Sequence, residues 1–431
     1  MDAVTFETGL AAQTADILSK CVACGACAEV CPMPAPAGIT ADPKTLTQGI
    51  VTLLRGGVDE DARRWASVCS GSGHCIPACE YGVNPRLMLA LARTANAAHQ
   101  PAPARRKVAF DRFGAMTKGV RVLSRLQLPP ETLARFHPPR EEAEERPEVI
   151  FYTGCNVLKT PHIALLALDI MDALNVRYTV TGGPSSCCGV LQFRAGDVPT
   201  SGRLGGKTAV RLAEAAPRAL SWCPTCQIQI AEIAAPALGV DLNMAPFVRF
   251  LAERLDDLRK LMVRRVEKRV GLHEHPGHPG VPESARAILE AIPGLAFVDL
   301  EQPRVGYMCN QISTLPAFKA DYHRAQLQAA EAAGVTTLAG IYHTCHRELC
   351  SHERDWPFEV VNFLELVGES MGLSRPDLFK RLKMMQDVDA ILADVGPMLG
   401  VRGIDLEEAR DVVLRDLLGE QPLPLGHVAA A

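Results

Sequence analysis

Residues 21–32 read CVACGACAEVCP, which sets Cys21, Cys24, Cys27 and Cys31 at C-x2-C-x2-C-x3-C with Pro32 behind the last. This spacing forces tight turns that aim three thiolates at one point. It is the spacing of a bacterial [4Fe–4S] run, in which the fourth cysteine serves a second cluster. Zinc sites more often show separated pairs of ligands, so iron–sulfur is the stronger reading. A second run then belongs nearby, and WASVCSGSGHCIPACEYGVNP at 65–85 supplies it with a defect. Counting back from Cys79, ligands fall due at 75, 72 and 69. Cys75 and Cys69 are present, position 72 is Ser72, and Glu80 stands where a proline is expected. Crossed ligation gives one complete set, Cys21, Cys24, Cys27 and Cys79, and leaves Cys31, Cys69 and Cys75 around the second site. Three thiolates suit a [3Fe–4S] cluster, or a [4Fe–4S] cluster whose fourth iron takes Ser72, His74 or water. The competing reading is an empty site with relic cysteines.

The chain of 431 residues holds fifteen cysteines, and its start, MDAVTFETGLAAQTADILSK, lacks the basic and apolar regions of a secretion signal. A disulfide framework is therefore disfavoured, and metal ligation in a reducing, cytoplasmic setting is expected. Each cysteine falls in a ligand-spaced group or aligns with one, so none is expected as a stray core residue. With 48% hydrophobic and 22% charged residues the chain is long enough for two to four domains. The net charge of −4 gives no basic excess for nucleic acid. The most apolar window, 161–176, carries His162, Asp169 and Asp172 and is too short to span a bilayer, so any membrane anchor belongs to a partner subunit.

Residues 1–100 hold short helical patterns such as 44–54 and 84–95 among seven cysteines. Residues 101–147 are rich in Arg, Lys, Pro and Glu. PPETL, HPPR and EEAEERPE mark breaks there, which predicts a linker with some helix. From 148 the pattern alternates: VIFYTG, helix 160–174, VRYTVTG, helix 203–215, ALSWC, helix 226–234. After 260 the order recurs: RVGLHEH, helix 282–291, LAFVDL, VGYMC, helix 316–333, TTLAGIYHTC and helix 357–370. Two copies of one βαβ unit about 120 residues apart are the economical reading, with a helical tail over 373–431. The expected class is α/β with an N-terminal all-α domain.

Five thiols fall at strand-to-helix turns of the first copy: Cys155, then after 31 residues Cys187-Cys188-Gly189, then Cys223-Pro-Thr-Cys226. Carboxyl ends of parallel strands are where such folds bind ligands. Five thiols exceed the four that zinc or a cubane needs. The pattern resembles the cysteine-rich CCG domain of heterodisulfide reductase subunits and of the iron–sulfur subunits of glycolate oxidase and anaerobic glycerol-3-phosphate dehydrogenase. A bicluster ferredoxin domain (1–100) followed by a complete (148–262) and a degenerate (263–372) Rossmann-like CCG unit is that family's arrangement. The resemblance implies a noncubane [4Fe–4S] cluster on Cys155, Cys187, Cys188, Cys223 and Cys226, with Gly189 letting the backbone pass close to it.

In the second copy, aligning Cys345 with Cys223 puts Cys309 opposite Cys188, Met308 opposite Cys187, and Pro276 of HEHPGHPG opposite Cys155. Cys345-His-Arg-Glu-Leu-Cys350 then replaces the closing C-x2-C. Cys309, Cys345 and Cys350 are candidate metal ligands, with His273, His275, His278, His343 and His346 nearby.

No nucleophile–His–acid set, P-loop or G-x-G-x-x-G stands out, so nucleotide binding is not expected. The resemblance implies an electron-transfer subunit that receives electrons from a flavoprotein subunit or electron-transfer flavoprotein and passes them to a quinone, carrier or disulfide. The alternatives are a catalytic thiol–disulfide reductase, which in this family uses a pair of noncubane clusters, and a scaffold whose clusters serve folding only.

Overall fold

The computed structural model describes residues 3–136 and 146–425. The HPPR stretch and most of EEAEERPE lie outside the described residues. The chain is mixed α/β with two four-stranded, all-parallel sheets among these residues. The first contains β1 (Val149–Tyr152), β2 (Tyr178–Thr181), β3 (Arg218–Ser221) and β4 (Met244–Pro246) in the order β2-β1-β3-β4. The second contains β5 (Arg269–His273), β6 (Ala296–Val298), β7 (Thr337–Gly340) and β8 (Glu359–Asn362) in the order β6-β5-β7-β8. The central strands β1 and β7 are buried at every position, as expected of strands covered on both faces.

The registers make the two sheets equivalent residue by residue. Tyr152 pairs with Ser221 and Ser221 with Pro246, while His273 pairs with Gly340 and Gly340 with Asn362. Pro246 and Asn362 each cap the helix that follows. Counting on from Ser221 and Gly340, Cys226 corresponds to Cys345 and Cys223 to Tyr342. Aligning Cys345 with Cys223 by interval therefore misplaces it by one ligand position. Counting on from Tyr152 and His273 leaves Pro276 opposite Cys155.

Three stretches fold otherwise than their pattern predicts. VGYMC is not a strand. It bends into a 3-10 turn at Cys309–Ile312, and the Gly306 amide donates to Ser72 Oγ at 2.7 Å instead of entering a ladder. Residues 357–370 begin with β8 before the helix Phe363–Met371, which opens on a capping box between Asn362 and Glu365. The 101–147 linker is dominated by one 26-residue helix, Ala102–Gln127. Pro101 precedes this helix and Pro103 lies in its first turn, where an absent N–H leaves no bond unmade.

Packing joins the parts. Val122, Leu123 and Leu126 of that helix share a core with Phe379, Leu382, Ile391, Val395 and Val413 of the tail. Phe151, Trp222 and Phe247 of the first sheet unit share one with Tyr342, Phe363 and Leu366 of the second. Around the N-terminal cysteines, Asp42 and Asn84 cap helices that start on Pro43 and Pro85. The core there, with Met33, Ile50, Trp65 and Leu89, also takes in Phe193, Val305 and Ile312 from the sheet units.

Candidate iron–sulfur sites

All fifteen cysteines are free thiols, gathered at separate points in the fold. In the first group, Cys27 lies within electrostatic reach of Cys21, Cys24 and Cys79. Cys27 is buried against Thr47 Oγ1 at 3.7 Å, and burial raises its pKa. In the second, Cys75 faces Cys69 and Cys31. Burial pushes Cys31 up to about 11 despite the Trp65 Nε1–H that donates to its sulfur at 3.3 Å. Thiols this reluctant to ionise, crowded with others, become thiolates only when a cation supplies the compensating charge, which fits iron–sulfur ligation.

The second group carries a device that spacing does not reveal. Arg86 is buried, donates to the carbonyls of Gly71 at 3.2 Å and Gly277 at 3.1 Å, pairs with Glu232, and favours the ionised form of Cys75. It fastens the ferredoxin-type turn to both sheet units and sets a positive charge beside the thiolates. Ser72 lines the same small cavity as Cys31, Cys69 and Cys75. Its hydroxyl is already engaged, by Ser70 Oγ at 2.9 Å and the Gly306 amide. His74 Nε2 is held by the Arg304 carbonyl at 2.9 Å. A three-thiol site therefore stands out, and Ser72→Cys is expected to raise the iron by about one per chain, from about 11 to about 12, by completing a fourth ligand. Iron analysis and EPR check this, and unchanged iron with an unchanged spectrum would refute it.

The five thiols of the first sheet unit form a continuous buried set. Cys155 meets Cys187, Cys187 meets Cys188, Cys188 meets Cys226, and Cys226 meets Cys223. These mutual hydrogen bonds hold Cys187 and Cys223 below the ordinary thiol range and push Cys155, Cys188 and Cys226 above it. The glycine that admits the thiols is Gly154 rather than Gly189. Gly154 has φ +71°, and a Cβ there would lie 3.0 Å from Cys223 Cβ and 3.2 Å from Cys226 Sγ. A Cβ at Gly189 would instead meet the Ser201 carbonyl at 2.6 Å, although the Gly189 amide does donate to Cys187 Sγ at 3.4 Å.

The second unit brings together Cys309, Cys345, His273 and His275, with one ligand atom of each within 4.8 Å of the others. The other candidates there go elsewhere. Cys350 is a stray core residue after all, packed with Phe379 and Leu382 of the tail, and burial pushes its thiol up to about 12. His343 Nδ1 accepts from Trp222 Nε1 at 3.2 Å, and burial lowers its pKa to about 3. His346 Nε2 bonds Asp377 at 2.6 Å, and His278 Nδ1 lies 3.3 Å from the Pro279 carbonyl.

Between the two units a cavity of about 540 Å³ opens on all five thiols of the first. Arg112, Lys159, Arg194, Lys319, Arg347 and Arg415 line it, and the tail closes it with Asp416 and Glu420. Glu420 reaches Arg347 at 2.6 Å and Lys159 at 3.5 Å. Tyr307 stands between this site and the ferredoxin-type group. Its hydroxyl takes a bond from Arg194 at 2.6 Å and contacts Thr225, which lies between Cys223 and Cys226. Its ring edge covers Gly71, where a Cβ would approach to 2.3 Å. No helix among the described residues is long and apolar enough to cross a membrane.

Two family descriptions match the chain: a cysteine-rich CCG domain over residues 149–231 and a 4Fe-4S binding domain over residues 16–36. The D subunit of the dihydromethanophenazine:CoB–CoM heterodisulfide reductase of Methanosarcina mazei is 22% identical over 83% of this chain and 94% of its own length. The protein of the same name from Methanosarcina barkeri is 23% identical over 83% of this chain and 95% of its own length. The B subunit of the fumarate reductase (CoM/CoB) of Methanothermobacter marburgensis is 31% identical over 35% of this chain and 31% of its own length. Over most of its length the chain is thus similar to the heterodisulfide reductase D subunit, and it joins a match to a 4Fe-4S binding domain to a match to a cysteine-rich CCG domain, with thiol groups suited to iron–sulfur clusters.

Proposed function

We propose that this chain is the iron–sulfur electron-transfer subunit of a multi-subunit oxidoreductase, taking electrons from a flavoprotein partner. The observation that carries this reading is Tyr307, one side chain that touches Gly71 beside the Cys31, Cys69 and Cys75 group and Thr225 inside the five-thiol group. Iron–sulfur clusters supply one-electron carriers when bound, and the protein's part is to space them and tune their potentials. In this reading Cys21, Cys24, Cys27 and Cys79 hold a cubane, and Cys31, Cys69 and Cys75 hold a 3Fe or labile 4Fe cluster. Cys155, Cys187, Cys188, Cys223 and Cys226 hold a noncubane one. Arg86 and the Trp65 N–H stabilise negative charge at the second group.

Gly71→Ala tests this reading. The added methyl meets the Tyr307 ring and sits at φ +71°, so about 1–3 kcal/mol of stability is lost as the ring is displaced. The expected result by freeze-quench EPR is that the ferredoxin-type clusters still reduce while reduction of the five-thiol centre is delayed. Unchanged timing with a displaced Tyr307 would overturn the relay. A second reading, a thiol–disulfide reductase, is favoured by the cation-lined cavity over the five thiols and by relatives whose names carry CoB and CoM.

A further inference from the structure

His273, His275, Cys309 and Cys345 come from three successive turns at the carboxyl edge of the second sheet. His273 ends β5, His275 follows it, Cys309 lies after β6, and Cys345 lies in the helix after β7. All four are essentially without solvent contact. The His275 Nδ1 lies 2.6 Å from the Val305 carbonyl, which only accepts, so Nδ1 carries a proton, and in the neutral imidazole this leaves the lone pair on Nε2. The His273 Nδ1 faces Gln326 Oε1 at 3.3 Å in the same sense. The two Nε2 atoms are 3.1 Å apart, and they lie 3.1 and 3.4 Å from Cys309 Sγ. Two imidazole lone pairs converging on each other and on a buried thiol repel unless a positive charge lies between them.

The spacing identifies the charge. Ligands about 2.0 to 2.3 Å from one tetrahedral ion lie about 3.3 to 3.8 Å from each other, close to what is seen here. A two-iron cluster with its histidines on one iron and its cysteines on the other would hold His273 Nε2 well away from Cys309 Sγ, and these are 3.1 Å apart. Two thiolates and two neutral imidazoles around a divalent ion form a neutral set, which suits a site sealed from water. Each histidine has its other nitrogen fixed by an outer acceptor, the arrangement that orients metal-bound imidazoles.

We propose that the second sheet unit binds one zinc ion through His273 Nε2, His275 Nε2, Cys309 Sγ and Cys345 Sγ, as a closed structural site. Four protein ligands leave no open position, so the ion neither activates water nor carries electrons. The degenerate unit thus keeps its fold through a redox-inert metal. This does not rest on the electron-transfer reading. The full chain, purified anaerobically from zinc-supplemented cells, should hold about one zinc beside its iron, with zinc K-edge absorption fitting two sulfurs near 2.3 Å and two nitrogens near 2.0 Å. The double variant Cys309→Ser/Cys345→Ser should lose that zinc and keep the iron. If the variant does not fold, the wild-type absorption decides alone. A wild type without zinc, zinc with another donor set, or zinc kept in full by a folded double variant would overturn the site, as would loss of iron in its place.

Discussion

Replacing either Cys187 or Cys188 by Ser is expected to remove about four iron atoms per chain and to leave the ferredoxin-type clusters intact. Neither thiol is a spare. Cys187 links Cys155 to Cys188, and Cys188 links Cys187 to Cys226, so either loss breaks the run of contacts in its middle. The N-terminal groups are built on other turns, with Cys31 and Cys27 held by Trp65 and Thr47, and do not depend on this pair. Iron analysis with EPR of both variants makes the test. If only one variant loses the signal, the other thiol is not a ligand and four cysteines suffice.

What the sequence disclosed was mainly what depends on local spacing. C-x2-C-x2-C-x3-C and Cys223-Pro-Thr-Cys226 are legible because neighbouring turns alone decide where those thiolates point. Cys27 has Cys21, Cys24 and Cys79 as neighbours, while Cys75 has Cys69 and Cys31 and also Cys27, so the two N-terminal groups lie side by side. Interval counting failed at Cys345, because loop lengths differ between the two copies while the strand register does not. It took the pairing of Gly340 with His273 and Asn362 to show that Cys345 stands where Cys226 does. Cys350 resembles a ligand in sequence because it follows Cys345 at a spacing near that of Cys223 and Cys226, but its side chain turns into the core shared with the tail. VGYMC read as a strand because its residue types fit one, but the Gly306 amide and the Tyr307 ring are taken by Ser72 and Gly71 of the ferredoxin-type turn.

Residues whose part depends on packing between distant segments left no local trace. Arg86 sits in an ordinary amphipathic helix, and its contacts with Gly71, Glu232 and Gly277 join three regions far apart in sequence. His273 and His275 were two of five nearby histidines. Only the geometry separates them from His278, His343 and His346, through the convergence of their Nε2 atoms on Cys309.

Given a strong reductant, the purified chain is expected not to sustain heterodisulfide reduction, while it accepts electrons from a flavoprotein. Splitting an S–S bond releases two sulfurs that must both be held while two electrons arrive. The five-thiol site offers one place for this. The second unit offers no other, since Pro276 and Tyr342 stand at the positions of Cys155 and Cys223, and the thiols at its sheet edge, Cys309 and Cys345, are gathered with His273 and His275. The cation-lined cavity has room for a small anionic molecule, but with a single redox pole beneath it the expected outcome is binding without turnover. The measurement is anaerobic consumption of a heterodisulfide by the reduced chain, beside stopped-flow reduction of the oxidised chain by a flavoprotein. Steady disulfide turnover by the chain alone, abolished in Cys188→Ser, would overturn the electron-transfer reading and make the cavity an active site.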